Sequence, residues 1–352
     1  MGAGELTMPV APVDTLGMFD VTASLPEQVA MAAEQARGLD GLPEHGTVEN
    51  VVVLGMGGSG LAGDILIAAA APFMPVPVVV VKSYSLPHFV GEESLVFAIS
   101  FSGNTEETIE AATEAAVQGA HVVAVTSGGE LEKLASGWGA PVIGLPDDIP
   151  MPRAGIGAMA IPPLVVLEEV GLFPGASQWI DYAVGQLQRR RDRLVRDDNE
   201  AAAIARRIGR TIPVIFGGNS LGAAAALRWK NQVNENAKSP AFWASQPELS
   251  HNEVQGWGQH GDVTRQIMTL VNLRHDHEHP QVSRRFDLVT EWLREVMAGV
   301  EEVWAEGEGE LAQLLDLILV GDFVSLHMAA HEGIDPGPIP VLEDIKAALS
   351  AG

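Results

Sequence analysis

The spacing of apolar positions along the chain switches between two periods. Leu25, Val29, Ala32, Ala33 and Ala36 recur at helical spacing and predict an amphipathic helix over 25–37. Short, fully apolar runs then predict strands at 51–54, 76–81, 95–100 and 121–125, with helices at 61–71 and 105–118 between them. Strands with no alternating polar face belong to a parallel sheet, buried on both sides by its crossover helices. The pattern restarts at residue 211. A strand over 211–216 leads into the turn Gly217-Gly218-Asn219-Ser220 and a helix over 221–234, and a strand over 266–273 and a long apolar helix over 311–331 follow. Laid side by side, Val51–Gly60 and Ile212–Leu221 read as diverged copies of one unit. Residues 156–207 between them read as largely helical, with Arg189-Arg190-Arg191 as a solvated helix face. The expected fold class is α/β, with two domains that are each a parallel sheet flanked by helices. Their expected extents are residues 20–160, a helical connector over 161–205, and 206–352 with a C-terminal helix.

Composition narrows what such a fold could do. At 352 residues and 47% apolar, the chain can fill two cores. It has no cysteine, which removes disulfides, thiolate nucleophiles, iron–sulfur clusters and cysteine-based zinc sites. Its formal charge of −25 repels nucleic acid, and no basic stripe offsets it, so a nucleic-acid partner is not expected. The same charge repels a small phosphorylated ligand at long range. Any anion site must therefore be built locally, from backbone N–H groups, hydroxyls and a few placed cations. The opening Met1–Thr15 shows no basic region followed by an apolar run, and Leu6 stands where a myristoylation signal requires Ser or Thr. The longest apolar run, Ile65–Val81, is broken by Pro72, Pro75 and Pro77, which argues against a membrane span. A cytoplasmic protein without a membrane partner is expected.

Two segments carry the chemistry. Gly57-Gly58-Ser59-Gly60 lies between a predicted strand and a predicted helix, where glycine lets the backbone approach a ligand and the helix N-terminus offers free N–H groups. Taken alone it is equally a plain tight turn, and it is neither a P-loop nor a GxGxxG fingerprint. The second segment is Ser100-Phe101-Ser102-Gly103-Asn104-Thr105-Glu106-Glu107-Thr108. An ordinary helix cap accounts for one or two of these residues but not for the cluster. Both segments fall at strand ends of one parallel unit, where ligands bind. That makes Gly58, Ser59, Ser100, Ser102 and Thr105 candidate phosphate-binding residues.

Gly-Gly-Ser-Gly followed by Ser-x-Ser-Gly-Asn-Thr-x-Glu-Thr resembles the sugar isomerase (SIS) domain. With Asn234-Glu235-Asn236-Ala237-Lys238 and Glu248-Leu249-Ser250-His251-Asn252-Glu253, nearly the whole chain resembles the bifunctional phosphoglucose/phosphomannose isomerases of archaea and bacteria. The resemblance implies two SIS-type domains and metal-independent, cofactor-free interconversion of glucose 6-phosphate, and also mannose 6-phosphate, with fructose 6-phosphate through a cis-enediolate. It implies Glu235 as the base that moves the proton, with Asn234, Asn236 and Lys238 around it. Without the resemblance, Glu235 reads rather as an exposed helix-end glutamate. It further implies His251 in ring opening, reaching the site of the neighbouring subunit of a homodimer, with Lys346 as its partner. Arg153, in Met151-Pro152-Arg153-Ala154-Gly155, matches the arginine that stabilises enediolate charge. One position departs from the family: Ile339 stands where members that accept both sugars carry threonine, which puts mannose 6-phosphate turnover in question. A non-catalytic sugar-phosphate sensor is the alternative from another class. His275, His277 and His279 are expected in a solvated loop rather than on a metal, and Trp229, Trp243 and Trp257 in core packing.

Overall fold

The structure, a computed structural model, describes residues 13–350, so most of the opening stretch, including Leu6, lies outside the described residues. Five parallel strands, β1 (Asn50–Leu54), β2 (Val78–Val81), β3 (Ser94–Ile99), β4 (His121–Thr126) and β5 (Val142–Gly144), form one sheet in the order β2-β1-β3-β4-β5. Four more, β6 (Ile212–Gly218), β7 (Phe242–Gln246), β8 (Met268–Arg274) and β9 (Gly299–Trp304), form a second parallel sheet in the order β7-β6-β8-β9. The apolar runs read from the sequence are β1, β2, β3, β4, β6 and β8, and all of these but β2 are internal to their sheets. The strands absent from the sequence reading lie at sheet edges. β5 is three residues long, while β7 (Phe-Trp-Ala-Ser-Gln) and β9 (Gly-Val-Glu-Glu-Val-Trp) carry polar or exposed side chains and lack the buried signature. The strand expected at 266 begins at Met268, since the preceding residues close a short helix, Gly261–Ile267.

The connector folds as three helices, Ile156–Glu169, Ala176–Leu194 and Glu200–Ile208. The second and third pack against the helix Glu310–His331, which also lies against the helix Asn219–Asn236 of the second sheet, while the first packs against the helices Leu25–Gln35 and Gly57–Ala69. Glu310–His331 is long and apolar enough to cross a membrane, yet 94% of its apolar window is buried inside the protein, as expected of a core helix. The solvated face expected at Arg189-Arg190-Arg191 is corrected at its middle residue. Arg190 is buried, and its Nε and Nη2 donate to Asp316 at 2.8 and 2.6 Å. Gln186 and the Glu306 N–H complete that buried carboxylate.

Near the end of the core helix, the His327 ring lies edge-on to Phe19, with Nε2 3.1 Å from Asn199 Nδ2. Burial first, then repulsion from His331 and Arg206, pulls its pKa from 6.5 down to about 4. Below pH 6.5 the unfolded chain binds a proton that the folded chain refuses, so stability is full above pH 6.5 and is lost as pH falls toward 4. The thermal midpoint should drop across that window, and His327→Gln should reduce the drop. A wild-type midpoint that tracks the variant's from pH 7 to pH 4 would contradict this.

Candidate active site

In the first sheet the strand order turns about β1 and β3, and a crevice opens beyond their carboxyl ends. The glycine turn after β1 forms one side of it and the Ser100–Thr105 turn after β3 the other. Gly103 has φ +66°, and a Cβ there would lie 1.8 Å from the Gly128 carbonyl, so only glycine lets the turns after β3 and β4 meet backbone to backbone. Ser100 Oγ and Thr105 Oγ1 are 2.9 Å apart. Thr105 occupies the N-cap of the helix Glu106–Val117, but its hydroxyl turns to Ser100 and does not cap the helix. The helix Gly57–Ala69 likewise starts without a side-chain cap. Two uncapped N-termini therefore supply N–H groups and positive dipole ends at the crevice.

The remaining candidates in these turns differ in what holds them. The Ser102 side chain is exposed and accepts from the Asn104 N–H at 3.3 Å. Ser59 is buried with Oγ donating to Met159 Sδ at 3.3 Å. One turn into the second helix, Thr108 Oγ1 is buried without a hydrogen-bond partner among the described residues. Thr108 belongs to the same motif and was not singled out from the sequence.

Gly58 ties this crevice to the next group. A Cβ there would stand 3.7 Å from Arg153 Cα and from the Pro152 carbonyl, so the glycine turn lies directly against the turn Pro152–Gly155. Arg153 is 2% exposed. Its Nε donates to Asn236 Oδ1 at 2.7 Å, and its Nη2 donates to the Pro336 and Gly337 carbonyls at 2.5 and 2.6 Å. Its Nη1 lies 3.6 Å from Glu235 Oε2 and has no hydrogen-bond partner among the described residues. Burial pushes the Arg153 pKa down while Glu235 pulls it up. A buried N–H without an acceptor, beside a carboxylate that keeps some exposure, is an arrangement that a ligand oxygen would complete.

The group is held by a closed polar circuit. Asn236 Nδ2 donates to Ser325 Oγ at 2.9 Å, and Ser325 Oγ donates to the Asp322 carbonyl at 2.7 Å. Asp322 accepts from Arg228 Nε and Nη2 at 2.9 and 2.7 Å, and Arg228 Nη2 donates back to the Arg153 carbonyl at 2.6 Å. Lys238 closes the other side, at φ +52°, with Nζ donating to the carbonyls of Glu235, Asp335 and Pro336 at 2.9, 2.9 and 3.0 Å. Burial first, then Arg153, pushes the Lys238 pKa down. Arg228, Asp322 and Ser325 gave no signal in the sequence, because each reads as an ordinary helix residue until the helices are brought together.

The structure brings Arg153, Glu235 and the glycine turn together. His251 is exposed at the end of the turn Glu248–His251 behind β7, and among the described residues no hydrogen bond or ion pair joins it to Arg153 or Glu235. Lys346 sits on the exposed helix Pro340–Ser350. Ile339 is half-buried two residues beyond Gly337, and its carbonyl accepts from the Leu342 N–H at 3.0 Å.

The second glycine turn has a different fate. Its crevice, between β6 and β8, holds the buried Arg274–Glu278 ion pair at 2.9 Å, and His275 Nε2 is 3.0 Å from the Gly218 carbonyl. The expected solvated histidine loop is therefore corrected. His275 is buried, which pushes its pKa down, while His277 lies 3.3 Å from Glu310 Oε1 and His279 Nδ1 accepts from the Gln281 N–H. Among the described residues no cluster of three or more metal-ligating side chains is present. Of the three tryptophans expected in core packing, Trp229 is buried against Gly321, Trp257 is half-buried and Trp243 is exposed.

Two parallel sheets, with a glycine turn and a serine–threonine turn at the first switch point, make this a two-sheet α/β protein whose switch point suits an anion. The SIS domain matches over residues 47–135, and the bacterial phospho-glucose isomerase C-terminal SIS domain matches over 197–349. The chain belongs to the bifunctional phosphoglucose/phosphomannose isomerase family. It is 32% identical over 337 residues to the bifunctional phosphoglucose/phosphomannose isomerase of Caldicellulosiruptor bescii, covering 95% of this chain and 99% of that one. To the enzyme of the same name from Aquifex aeolicus it is 35% identical over 308 residues, covering 86% and 90%. Tagatose-6-phosphate ketose/aldose isomerase from Escherichia coli shares the fold, with a TM-score of 0.65 at 16% identity, over 94% of this chain and 98% of that one.

The circuit predicts the outcome of breaking it. Asn236→Leu keeps the volume but leaves Arg153 Nε buried without an acceptor, and should cost about 2 kcal/mol in urea unfolding. A loss below about 0.5 kcal/mol would show that the circuit contributes no such constraint.

Proposed function

We propose that the chain interconverts glucose 6-phosphate and fructose 6-phosphate, and mannose 6-phosphate more slowly, by proton transfer between C1 and C2 through a cis-enediolate. The observation that carries this reading is the pairing of Glu235 with Arg153, whose buried Nη1 has no acceptor. In this reading Glu235 takes the proton from one carbon and returns it to the other. Arg153 Nη1 meets the oxyanion as charge develops on the enediolate, and because that cation is buried and fixed in advance its effect is large. The charge is met by an arginine, so the reaction calls for no metal. The phosphate rests on the N–H groups and hydroxyls of Gly58, Ser59, Ser100, Ser102 and Thr105, and the ring opens between Lys346 and His251 of the partner subunit. Residues 20–160 and 206–352 act as the two SIS-type domains, joined by 161–205. A cytoplasmic homodimer with shared sites follows from this assignment.

The test is to incubate EDTA-treated protein with fructose 6-phosphate and assay glucose 6-phosphate and mannose 6-phosphate separately. Turnover should survive chelation, and Glu235→Gln should lower kcat about 10³-fold with little change in KM. Binding of the phosphosugar without turnover would reject the isomerase in favour of a sensor. Ile339→Thr restores a hydroxyl beside the loop that Arg153 grips and should raise mannose 6-phosphate formation relative to glucose 6-phosphate. An unchanged product ratio would remove Ile339 from specificity.

A further inference from the structure

The loop that gives Arg153 its acceptors is itself held from outside. Asp335, Pro336 and Gly337 turn three successive carbonyls toward two cations. Arg153 Nη2 takes the last two and Lys238 Nζ the first two, while Lys238 also takes the carbonyl of Glu235. One short loop therefore touches both members of the Arg153–Glu235 pair. Ordering it costs conformational entropy, so its outer side needs contacts of its own.

Those contacts come from the opposite end of the described residues, 320 positions away. Thr15 Oγ1 donates to Asp335 Oδ2 at 2.6 Å, and the Thr15 N–H donates to Oδ1 at 3.4 Å. The Gly337 N–H donates to the same Oδ1 at 3.1 Å, so one carboxylate shapes the loop and ties it down. Leu16 lies on Gly337 so closely that a Cβ there would stand 2.8 Å from Leu16 Cδ1. Thr15 and Leu16 are fixed in their turn. Asp14 accepts from the N–H groups of Met18 and Phe19 at 2.8 and 3.0 Å, and Gly17 makes the bend at φ +64°. Met18 is buried, and the Phe19 ring meets Phe323 and His327 of the core helix edge-on. Asp14–Gly17 is a strap, anchored on the core and closed over the loop.

We propose that this strap aligns the reacting groups. Asp335 is its positioning residue, acting on Arg153 through the Pro336 and Gly337 carbonyls and on Glu235 through Lys238, with Thr15 and Leu16 as the clasp. The assignment rests on the isomerase reading and adds to it what holds the pair in register. Nη1 and Nη2 belong to one planar group. A guanidinium that loses the acceptors of Nη2 no longer holds Nη1 in line with a developing oxyanion, even with its charge intact. Among the described residues no hydrogen bond joins the strap to the glycine turn or to the Ser100–Thr105 turn. Opening the strap should therefore separate phosphate binding, which stays, from enediolate stabilisation, which falls.

Two variants open it, Asp335→Ala and the double variant Thr15→Val with Leu16→Ala. Amide hydrogen exchange should speed up about tenfold over 334–337 and, beyond the loop, over 152–156, while exchange in β3 stays unchanged as the control for folding. Faster exchange in the loop alone, or none in either segment, overturns the proposal. Inorganic phosphate should bind both variants as it binds the wild type. Arabinonate 5-phosphate, whose carboxylate stands in for the enediolate, should bind about tenfold more weakly. Equal losses for the two ligands, or no loss for either, also overturn it. With fructose 6-phosphate, kcat should fall about 100-fold and KM change less than about twofold. Asp335→Asn should recover kcat to within about threefold, because its amide can still accept from the Gly337 N–H and donate to Thr15 Oγ1. A wild type without turnover, whose strap variants still lose protection over 152–156, rejects the isomerase and leaves the strap. A wild type with turnover, whose variants match it in exchange and kcat, rejects the strap alone.

Discussion

A buried arginine must find acceptors for its N–H groups or destabilise the fold that encloses it. Arg153 sits at 2% exposure, and most of the site's geometry follows from how that requirement is met. Its acceptors come from the end of the helix Asn219–Asn236 and from the loop at Pro336–Gly337, while its own carbonyl is held by Arg228. The turn that follows the first sheet is thereby locked to the second sheet's first helix, and the C-terminal loop is locked to both. The one nitrogen without a hydrogen-bond partner among the described residues, Nη1, is the one beside Glu235. A strained or mobile site would spend part of a ligand's binding free energy on ordering these groups. Here they are ordered before any ligand arrives.

The two glycine turns show how one unit can keep or lose a site. After β1, neither adjoining helix is capped by a side chain and the Ser100–Thr105 hydroxyls sit at the mouth of the crevice, so donors collect where a dianion could be held. After β6, the corresponding space holds Glu278, Arg274 and His275. Glu278 brings negative charge into the position where a phosphate would sit, and Arg274 neutralises it, so the second turn is satisfied from within the chain. The second unit serves the first differently, because its first helix delivers Glu235, Asn236 and Arg228.

What was legible in the sequence follows from the same physics. Central strands and the two turns stood out because doubly buried strands are uniformly apolar and because glycine and hydroxyl residues at strand ends have few other uses there. Edge strands β7 and β9 did not, since half of each faces away from the core and carries Trp243 or Glu302 as readily as valine. Glu235 and Arg153 could be named only through resemblance. A helix-end glutamate and an arginine after a proline have no local pattern, and their meaning lies in contacts 82 residues apart along the chain. His275 was misjudged for a related reason. A run of histidines in a polar segment looks solvated, but the backbone turns the first of them back under Gly218.

The strongly acidic chain also explains why the site has the form it does. A charge of −25 opposes a phosphate at a distance, and solvent ions screen that opposition within about 10 Å. Attraction must then come from groups close enough to outweigh the surrounding field. Backbone N–H groups at uncapped helix ends suit this, because their partial charges are fixed in direction and need no counter-ion when the site is empty. Glu106 and Glu107 in the first turn of the helix after β3 complement the same dipole end while the crevice is unfilled. A lysine cluster would attract the ligand from further away, but on this surface it would be paired off by neighbouring carboxylates, as Lys82 is by Asp64. Arg153 is instead buried with acceptors chosen by the fold, and the carboxylate beside it is Glu235, 3.6 Å from Nη1.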